Sequence, residues 1–228
     1  METQPAAKSL EVSRLPLPTK CPLTAALNAI GGKWSLICLY WLDSGPRRFN
    51  ELRRLMPDIS HKVLTETLRS LEREELICRY ADGPTRLKAA LATVPADALQ
   101  WRPKPGEWSA HEVIVHCADS ETNAAARIRY VVAEAEPLVL GYDEAEWARR
   151  FDYHAHPLQP ALVLVEAVRA NTVALLRRLP ETAWQKVGRH TESGRYGAED
   201  WLAIYAEHLE VHARQIEANV AAWRSRAT

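Results

Sequence analysis

Apolar residues recur every three or four positions along most of this chain of 228 residues, which is the spacing of one face of a helix. An arm over residues 1–20, with three prolines and few apolar residues, precedes the pattern. The helices predicted in the front part span residues 21–30, 33–42, 51–56 and 61–75. Residues 76–80 are rich in strand formers and predict one short strand, and the turn formers at 81–84 predict a short joint.

The remaining residues, 85–228, predict helices and no strand. Ser109 and Glu112 have the spacing of a capping box at the start of a long helix, Pro180 stops another helix, and residues 181–196 predict polar turns. The helices predicted in this part span residues 85–91, 109–135, 158–179 and 197–223. The chain is therefore predicted to be mainly α, with a winged helix-turn-helix domain with a truncated wing at 21–80 and a four-helix bundle at 85–228.

Composition narrows the class of protein. The 29 basic and 29 acidic residues cancel, but residues 1–80 carry 12 Lys and Arg against 9 Asp and Glu, and the remaining residues carry 17 against 20. A basic front and an acidic back favour a nucleic-acid-facing module joined to a different one. No membrane-length apolar run or signal peptide is predicted, and the four cysteines form no C-x-x-C pair. We therefore expect a cytoplasmic protein with free thiols and no membrane contact.

Two short helices joined by a tight turn predict a DNA-facing surface. Near its start, the helix from His61 carries side chains that could meet base edges. These are His61, Lys62, Thr65, Glu66 and Arg69. Four arginines nearby are better placed for phosphates, which position a protein without reading sequence. They are Arg47, Arg48, Arg53 and Arg54. The alternative is an ordinary solvated charged surface, because several glutamates offset this charge.

The same residues resemble a known family. The segments that carry the resemblance are Cys21-Pro22, Ile30-Gly31-Gly32-Lys33-Trp34, Gly45 to Leu52 and Ile59 to Thr65. They are similar to HxlR-type winged helix-turn-helix transcription regulators. The resemblance implies a homodimer on two-fold symmetric double-stranded DNA, with the helix from His61 in the major groove. The usual second wing strand is missing. Cys21 is either a redox sensor, as in some relatives, or a buried structural thiol.

Histidines on the last helix are candidate metal ligands. His208 and His212 lie one turn apart on one face, and His116 on another predicted helix is the obvious third ligand. The alternative is a pair of histidines bonded to neighbours on a half-buried helix. Three neutral imidazoles would leave a divalent ion its full charge and an open position, as in a catalytic zinc site, and nickel would also fit. Asn123 and Arg127 follow His116 on nearly the same face.

The back half also resembles a known family. The segments that carry this resemblance are Trp101-Arg102-Pro103, Gly106 to Ser109, His116 to Asn123, Arg127, Glu136-Pro137, Tyr142 to Glu144 and Trp147. They are similar to DinB-like metalloproteins, in particular the bacillithiol S-transferase branch. The resemblance implies that His116, His208 and His212 hold the metal and that a bound thiol becomes a thiolate. Asn123, Arg127 and Tyr205 could contact a substrate or the ligands, and the alternative for each is a packing or surface role.

Two functions follow from the combined patterns. The first is a transcription regulator of HxlR type whose DinB-like bundle is the sensor or effector module, with zinc as the expected metal. The alternative is a metal-dependent S-transferase that joins a low-molecular-weight thiol to an electrophile, with a vestigial winged helix. His154 and His156 form an H-x-H pair that could bind metal separately. Whether the protein is an enzyme stays open at this point.

Overall fold

The computed structural model describes residues 32–226. The chain divides into two compact units, Met1–Glu72 and Arg73–Thr228. The predicted arm at 1–20, the predicted helix at 21–30 and Cys21 lie outside the described residues. The described part is mainly helical, as predicted.

The first unit contains helices α1, Lys33–Leu42, and α2, Phe49–Leu55, and the start of α3, which spans His61–Leu91. Ser60 caps α3, since its hydroxyl oxygen accepts a hydrogen bond from the Val63 amide at 3.2 Å. The helices enclose a small apolar core. Its buried residues are Cys38, Leu52, Met56, Ile59 and Leu64. This core fixes the turn between α2 and α3 and leaves their polar faces in solvent.

Helix α3 continues through the residues predicted as a wing strand and a joint. The predictions of a strand at 76–80 and a joint at 81–84 are therefore wrong. Ile77, Tyr80 and Leu87 are buried at helical spacing, and a strand could not place all three on one face. Pro84 lies inside the helix and cannot donate a hydrogen bond to the Tyr80 carbonyl one turn earlier. Arg169 replaces that missing donor, because its Nη1 lies 2.5 Å from the Tyr80 oxygen.

The second unit is a bundle built on four helices. They are the later part of α3, α4 at Ala110–Ala133, α6 at Leu158–Leu176 and α8 at Ala198–Ser225. Shorter elements join them: a 3-10 turn at Ala96–Ala98, α5 at Glu144–Arg150 and α7 at Glu181–Trp184. The predicted capping box is confirmed, since the Ser109 hydroxyl accepts from the Glu112 amide at 3.2 Å and the Ser109 amide donates to the Glu112 carboxylate at 2.9 Å.

A small sheet lies beside the bundle where only turns were predicted. Strands β1, Leu138–Val139, β2, Val187–His190, and β3, Gly194–Gly197, form it in that order. β1 and β2 are parallel, and β2 and β3 form an antiparallel hairpin. Gly194, with φ of 79°, takes the left-handed conformation that this hairpin turn requires. Polar strands this short carry little apolar periodicity, which explains why the pattern did not predict them.

Helix α6 is apolar and long enough to pass as a membrane span by composition alone. In the fold it is a bundle helix: Ala161 and Val165 belong to the core that also contains Val113, Leu209 and Ile216. A second apolar cluster forms around Trp201, which is fully buried and donates its indole N–H to the Ala124 carbonyl at 2.9 Å. These two clusters hold α4 and α8 side by side.

Candidate metal centre and DNA-facing surface

The structure brings the three predicted histidines together. His116 lies on α4, and His208 and His212 lie one turn apart on α8. One possible ligand atom from each of the three lies within 4.8 Å of the other two. The ring of His116 is 5.7 Å from that of His208 and 4.8 Å from that of His212, measured between centroids. In the described part of the chain, this is the one group of three or more metal-binding side chains so close together.

Two of these imidazoles, those of His116 and His212, are held in the neutral form that binds metals. Burial, together with the charges of His212 and His208, lowers the pKa of His116 to about 2. Burial, followed by the charge of His208, lowers the pKa of His212 to about 4. Both rings are therefore neutral at pH 7. A metal ion would not have to displace a proton from either of them.

Two side chains orient the imidazoles of α8. The Nδ1 of His208 lies 3.0 Å from a carboxylate oxygen of Glu121, and the Nδ1 of His212 lies 2.9 Å from the side-chain oxygen of Gln215. Because both partners are acceptors, each Nδ1 is the donor and each Nε2 is left for other contacts; that of His208 lies 3.2 Å from the Ser120 hydroxyl oxygen. Ligating histidines in metalloproteins are commonly held in this way. Sequence reasoning missed both roles, although Gln215 follows His212 at the i+3 spacing of helix neighbours.

His116 fits a cation in a different way. Its side chain is 1% exposed, and its Nδ1 is buried without a hydrogen-bond partner among the described residues. Its Nε2 is 3.9 Å from a carboxylate oxygen of Glu144, and its ring centroid lies 4.6 Å from that of Trp108, with the two rings tilted by 42°. Buried polar groups usually have a partner, so an ion among the three imidazoles would supply what this ring lacks. The donor set therefore fits a divalent metal.

A groove of about 570 Å³ borders the histidines. Its lining residues are Gly106, Glu107, Trp108, Glu144, Ala145, Gln215, Ala218 and Asn219. Trp108 touches His116, and Gln215 bonds to His212, so a molecule in the groove would lie against residues that hold the imidazoles. Burial raises the pKa of the Glu144 carboxyl. None of the three histidines lines the groove, so it adjoins the site only through their neighbours Trp108, Glu144 and Gln215.

The front unit exposes the side chains predicted to face DNA. Those exposed are Arg47, Arg48, Arg53, Arg54, His61, Lys62, Glu66 and Arg69. Thr65 is half-buried, and its hydroxyl donates to the His61 carbonyl at 2.9 Å. Arg47 donates to the Trp41 carbonyl at 2.6 Å and to the Ser44 hydroxyl at 2.8 Å, which ties it to its own loop. Within the described residues, the side chains of Arg48, Arg53 and Arg54 make no such bond and are exposed.

Both parts of the chain match families of known proteins. A family model described as the DinB superfamily matches residues 79–216. The chain belongs to the DinB superfamily. A second model, described as HxlR-like helix-turn-helix, matches residues 29–94. The two matches overlap within residues 79–94, most of which lie in α3. The fold thus joins an HxlR-like helix-turn-helix to a DinB bundle, as the sequence resemblances implied.

Individual relatives agree with this assignment. A protein of Oceanobacillus iheyensis, whose name proposes a metal-dependent hydrolase, is 34% identical over 142 residues, which are 62% of this chain and 82% of that protein. The HTH-type transcriptional regulator YkvN of Bacillus subtilis, itself uncharacterised, is 37% identical over 90 residues, covering 36% of this chain and 76% of YkvN. The solved structure of YfiT from Bacillus subtilis, titled a probable metal-dependent hydrolase with an unusual four-helix bundle topology, matches with a TM-score of 0.61. It is 23% identical and covers 71% of this chain and 87% of YfiT.

The other residues predicted near the metal fall into two groups in the DinB bundle. Arg127 donates to the Tyr205 hydroxyl at 3.0 Å and to the Leu140 carbonyl at 2.6 Å, and the Tyr205 ring lies 5.5 Å from that of His208. Arg127 and Tyr205 therefore border the histidine site as a pair. Asn123 donates to the Asp119 carbonyl of its own helix at 2.9 Å, which ties its amide to α4.

The H-x-H pair has other partners. His154 Nε2 lies 2.9 Å from the Ser109 hydroxyl and 3.2 Å from a carboxylate oxygen of Glu112, while His156 is exposed and its carbonyl lies 2.8 Å from His111 Nε2. These contacts hold the start of α4 to the loop before α6. Neither histidine joins a group of three metal-binding side chains within the described residues.

The cysteines in the described part of the chain are free thiols. Cys117 follows His116 but is fully buried on another side of α4, and burial raises the pKa of its thiol well above the ordinary value. It is not part of the histidine group, because consecutive residues of a helix lie about 100° apart around its axis. Asp119 accepts a hydrogen bond from the Tyr153 hydroxyl at 2.6 Å, so its carboxylate faces that ring.

Proposed function

We propose that this protein is a DNA-binding transcription regulator whose DinB bundle binds a divalent metal at His116, His208 and His212 and acts as its sensor module. The observation that carries the proposal is the convergence of three imidazoles in a chain that also carries an HxlR-like helix-turn-helix. The names of the DinB relatives support a metal, and those of the helix-turn-helix relatives support DNA binding.

Zinc is the metal we propose. Three neutral nitrogen ligands suit zinc, and nickel or another divalent ion would fit the same ligands. When bound, such an ion acts as a Lewis acid that makes a bound thiol or water acidic. Glu121 and Gln215 would keep both Nε2 atoms of α8 pointed at the ion. Trp108 and Glu144 line the groove through which an inducer would reach it.

For the front unit we propose contacts of two kinds. The exposed arginines Arg48, Arg53 and Arg54 would bind phosphates, and His61, Lys62 and Arg69 near the start of α3 would face base edges. A homodimer would present two such helices to a two-fold symmetric site. Sedimentation of the purified protein, alone and with a DNA duplex, tests this stoichiometry. A monomer bound to one half-site would contradict it.

The proposal is tested by fluorescence anisotropy with DNA from upstream of the protein's own gene, at physiological salt. We expect a specific excess of at least a hundredfold over scrambled DNA of equal length. We also expect that excess to change between metal-loaded and metal-free protein. His116→Gln should abolish the metal effect, whereas His111→Gln, at a buried histidine of the same helix outside the group, should retain it. No specific excess in either state would overturn the regulator.

One observation favours a second function. The groove beside the imidazoles is large enough for a small molecule, which suits a metal-dependent S-transferase acting on a low-molecular-weight thiol. Loss of free thiol is measured with a panel of electrophiles, and zinc-loaded protein is compared with the His116→Gln variant. Consumption that depends on His116 would support an enzyme. Equal rates with both proteins would rule it out for that panel.

A further inference from the structure

Helix α3 has an unusual interruption at Gly83 and Pro84. Proline lacks an N–H, so the carbonyl of Tyr80 loses its helical hydrogen bond. The guanidinium of Arg169 on α6 donates to that oxygen at 2.5 Å. A Cβ atom at position 83 would lie 2.6 Å from the same Arg169 nitrogen, closer than van der Waals contact allows. Gly83 therefore leaves room for the Arg169 guanidinium, and Pro84 leaves the Tyr80 carbonyl free to accept its hydrogen bond.

Arg169 has contacts on several sides of its guanidinium group. It is 1% exposed, and its guanidinium carbon lies 3.9 Å from the centroid of the Tyr80 ring. Its Nη2 donates to a carboxylate oxygen of Glu121 at 2.6 Å and to the Tyr205 carbonyl at 2.9 Å. One arginine thus joins α3, α4 and α8 from its position on α6.

Glu121 continues the chain of contacts to the candidate metal ligand. It is fully buried, and the carboxylate oxygen that accepts from Arg169 is also the one 3.0 Å from His208 Nδ1. The other oxygen accepts from the Tyr80 hydroxyl at 3.3 Å. Two hydrogen-bonded steps therefore connect Arg169 to His208. A movement of the guanidinium would displace the carboxylate that orients this imidazole.

Stability alone does not account for this arrangement. Removing both charges of a buried ion pair from water is costly, and apolar residues of similar volume often stabilise a core as well or better. The Arg169 Nε is also buried without a hydrogen-bond partner among the described residues. An arginine that is imperfectly satisfied in a core is better explained by what it positions.

We propose that Arg169 is a positioning residue for His208 and acts through Glu121. Gly83 and Pro84 hold its guanidinium by leaving space and a free Tyr80 carbonyl, and this contact links metal occupancy to helix α3. The inference rests on the proposed metal site. Loss of a side chain that orients a ligand commonly weakens metal binding by about 10- to 100-fold. Arg169 is one hydrogen bond further from the metal than Glu121. A loss of metal affinity within that range would therefore show that Arg169 and His208 are tightly coupled.

Cobalt binding to the full-length protein tests the positioning role. Competition with a coloured chelator gives the affinity, and the visible absorption bands of bound Co²⁺ report the geometry of its ligands. We expect Arg169→Lys to bind cobalt about 10- to 100-fold more weakly with shifted bands, because lysine cannot make three bonds in the same plane. Gly83→Ala should act in the same direction by displacing the guanidinium, and it decides the test if Arg169→Lys does not fold.

Arg73→Lys is the matched control. Arg73 is also a largely buried arginine, on α3, with two bonds to Glu181 at 2.8 and 3.1 Å and a ring contact with Trp184 at 4.7 Å. It is not bonded to Glu121 or to any of the three histidines, so cobalt affinity should stay within about twofold. Variants at 83 and 169 that bind cobalt like the wild type, with the same bands, would overturn this inference alone. Wild-type protein that binds no cobalt would overturn the metal site itself.

Amide hydrogen exchange tests the link to α3. Metal binding should slow exchange in peptides that contain Tyr80 in the wild type, and Arg169→Lys should lose this protection even at saturating metal. Unchanged exchange at Tyr80 in metal-loaded wild-type protein would overturn the link.

Discussion

The free energy of unfolding of the metal-free protein should fall as the pH is lowered from 7 to 5. His116 and His212 have folded pKa values of about 2 and about 4, against about 6.5 for histidine in an unfolded chain. Below pH 6.5 the unfolded state therefore binds protons that the folded state does not bind, which favours unfolding. Each histidine contributes about 1.4 kcal/mol per pH unit, or about 2 kcal/mol at pH 5. The two together give at most about 4 kcal/mol at pH 5, because both rings are still neutral in the folded state at that pH.

Few other groups are expected to change the free energy of unfolding between pH 7 and pH 5. The carboxyl of Glu121 has a lowered pKa, because Arg169 and His208 outweigh the effect of burial, and so its contribution is lost only below the ordinary carboxyl pKa near 4.5. Burial raises the pKa of Glu144, which would oppose the trend, but its side chain is 52% exposed and water screens the effect. The slope between pH 7 and 5 therefore reports mainly on the buried imidazoles.

The assay is guanidinium unfolding of chelator-treated protein, followed by circular dichroism at pH 7, 6 and 5. The same series on His116→Gln provides the control and should lose about half of the slope. A change below about 0.5 kcal/mol between pH 7 and 5 in the wild type would refute the reasoning, because it would mean that the imidazoles are hydrated.

Three further predictions concern stability and DNA. Leu209→Ala, at a fully buried core position, should cost about 2 to 5 kcal/mol in chemical unfolding, whereas Val211→Ala, at 55% exposure on the same helix, should stay within about 0.5 kcal/mol. Ser109→Ala should cost about 0.5 to 2 kcal/mol in the same assay, because the Glu112 amide loses its capping acceptor. Arg54→Ala should reduce the slope of DNA affinity against salt concentration by about one phosphate contact. The ratio of affinities for specific and scrambled DNA should stay the same, and a changed ratio would contradict its phosphate role.

Helical spacing predicted the pair on the last helix, and the resemblance to DinB-like proteins added His116 to the group. His208 and His212 share a face because they are one turn apart, and the apolar pattern around them correctly places Trp201 inside. Helical spacing also puts the apolar Ile204 and Val211 near this face, yet they are 52% and 55% exposed, because the neighbouring helices cover only part of it. Periodicity therefore locates the centre of a buried face better than its edges.

The partners of the metal ligands could not be predicted in the same way. Glu121 and Arg169 are charged, and charged residues are expected at the surface unless they are paired. Their pairing depends on packing between α4 and α6, which local spacing does not reveal. Tyr80 and Arg169, joined by a hydrogen bond, are 89 positions apart in the chain.

The error at residues 76–84 has the same physical origin and bears on function. Strand formers followed by a Gly-Pro pair predict a strand and a turn when only neighbours are considered. In the fold, Ile77 and Tyr80 belong to the apolar core around Trp201, and Arg169 satisfies the carbonyl that Pro84 leaves open. These residues cannot be a wing strand and a bundle helix at once, and the buried contacts favour the helix. Specific DNA recognition should therefore depend on α2 and the start of α3, while substitutions at 76–80 should act through the stability of the DinB bundle.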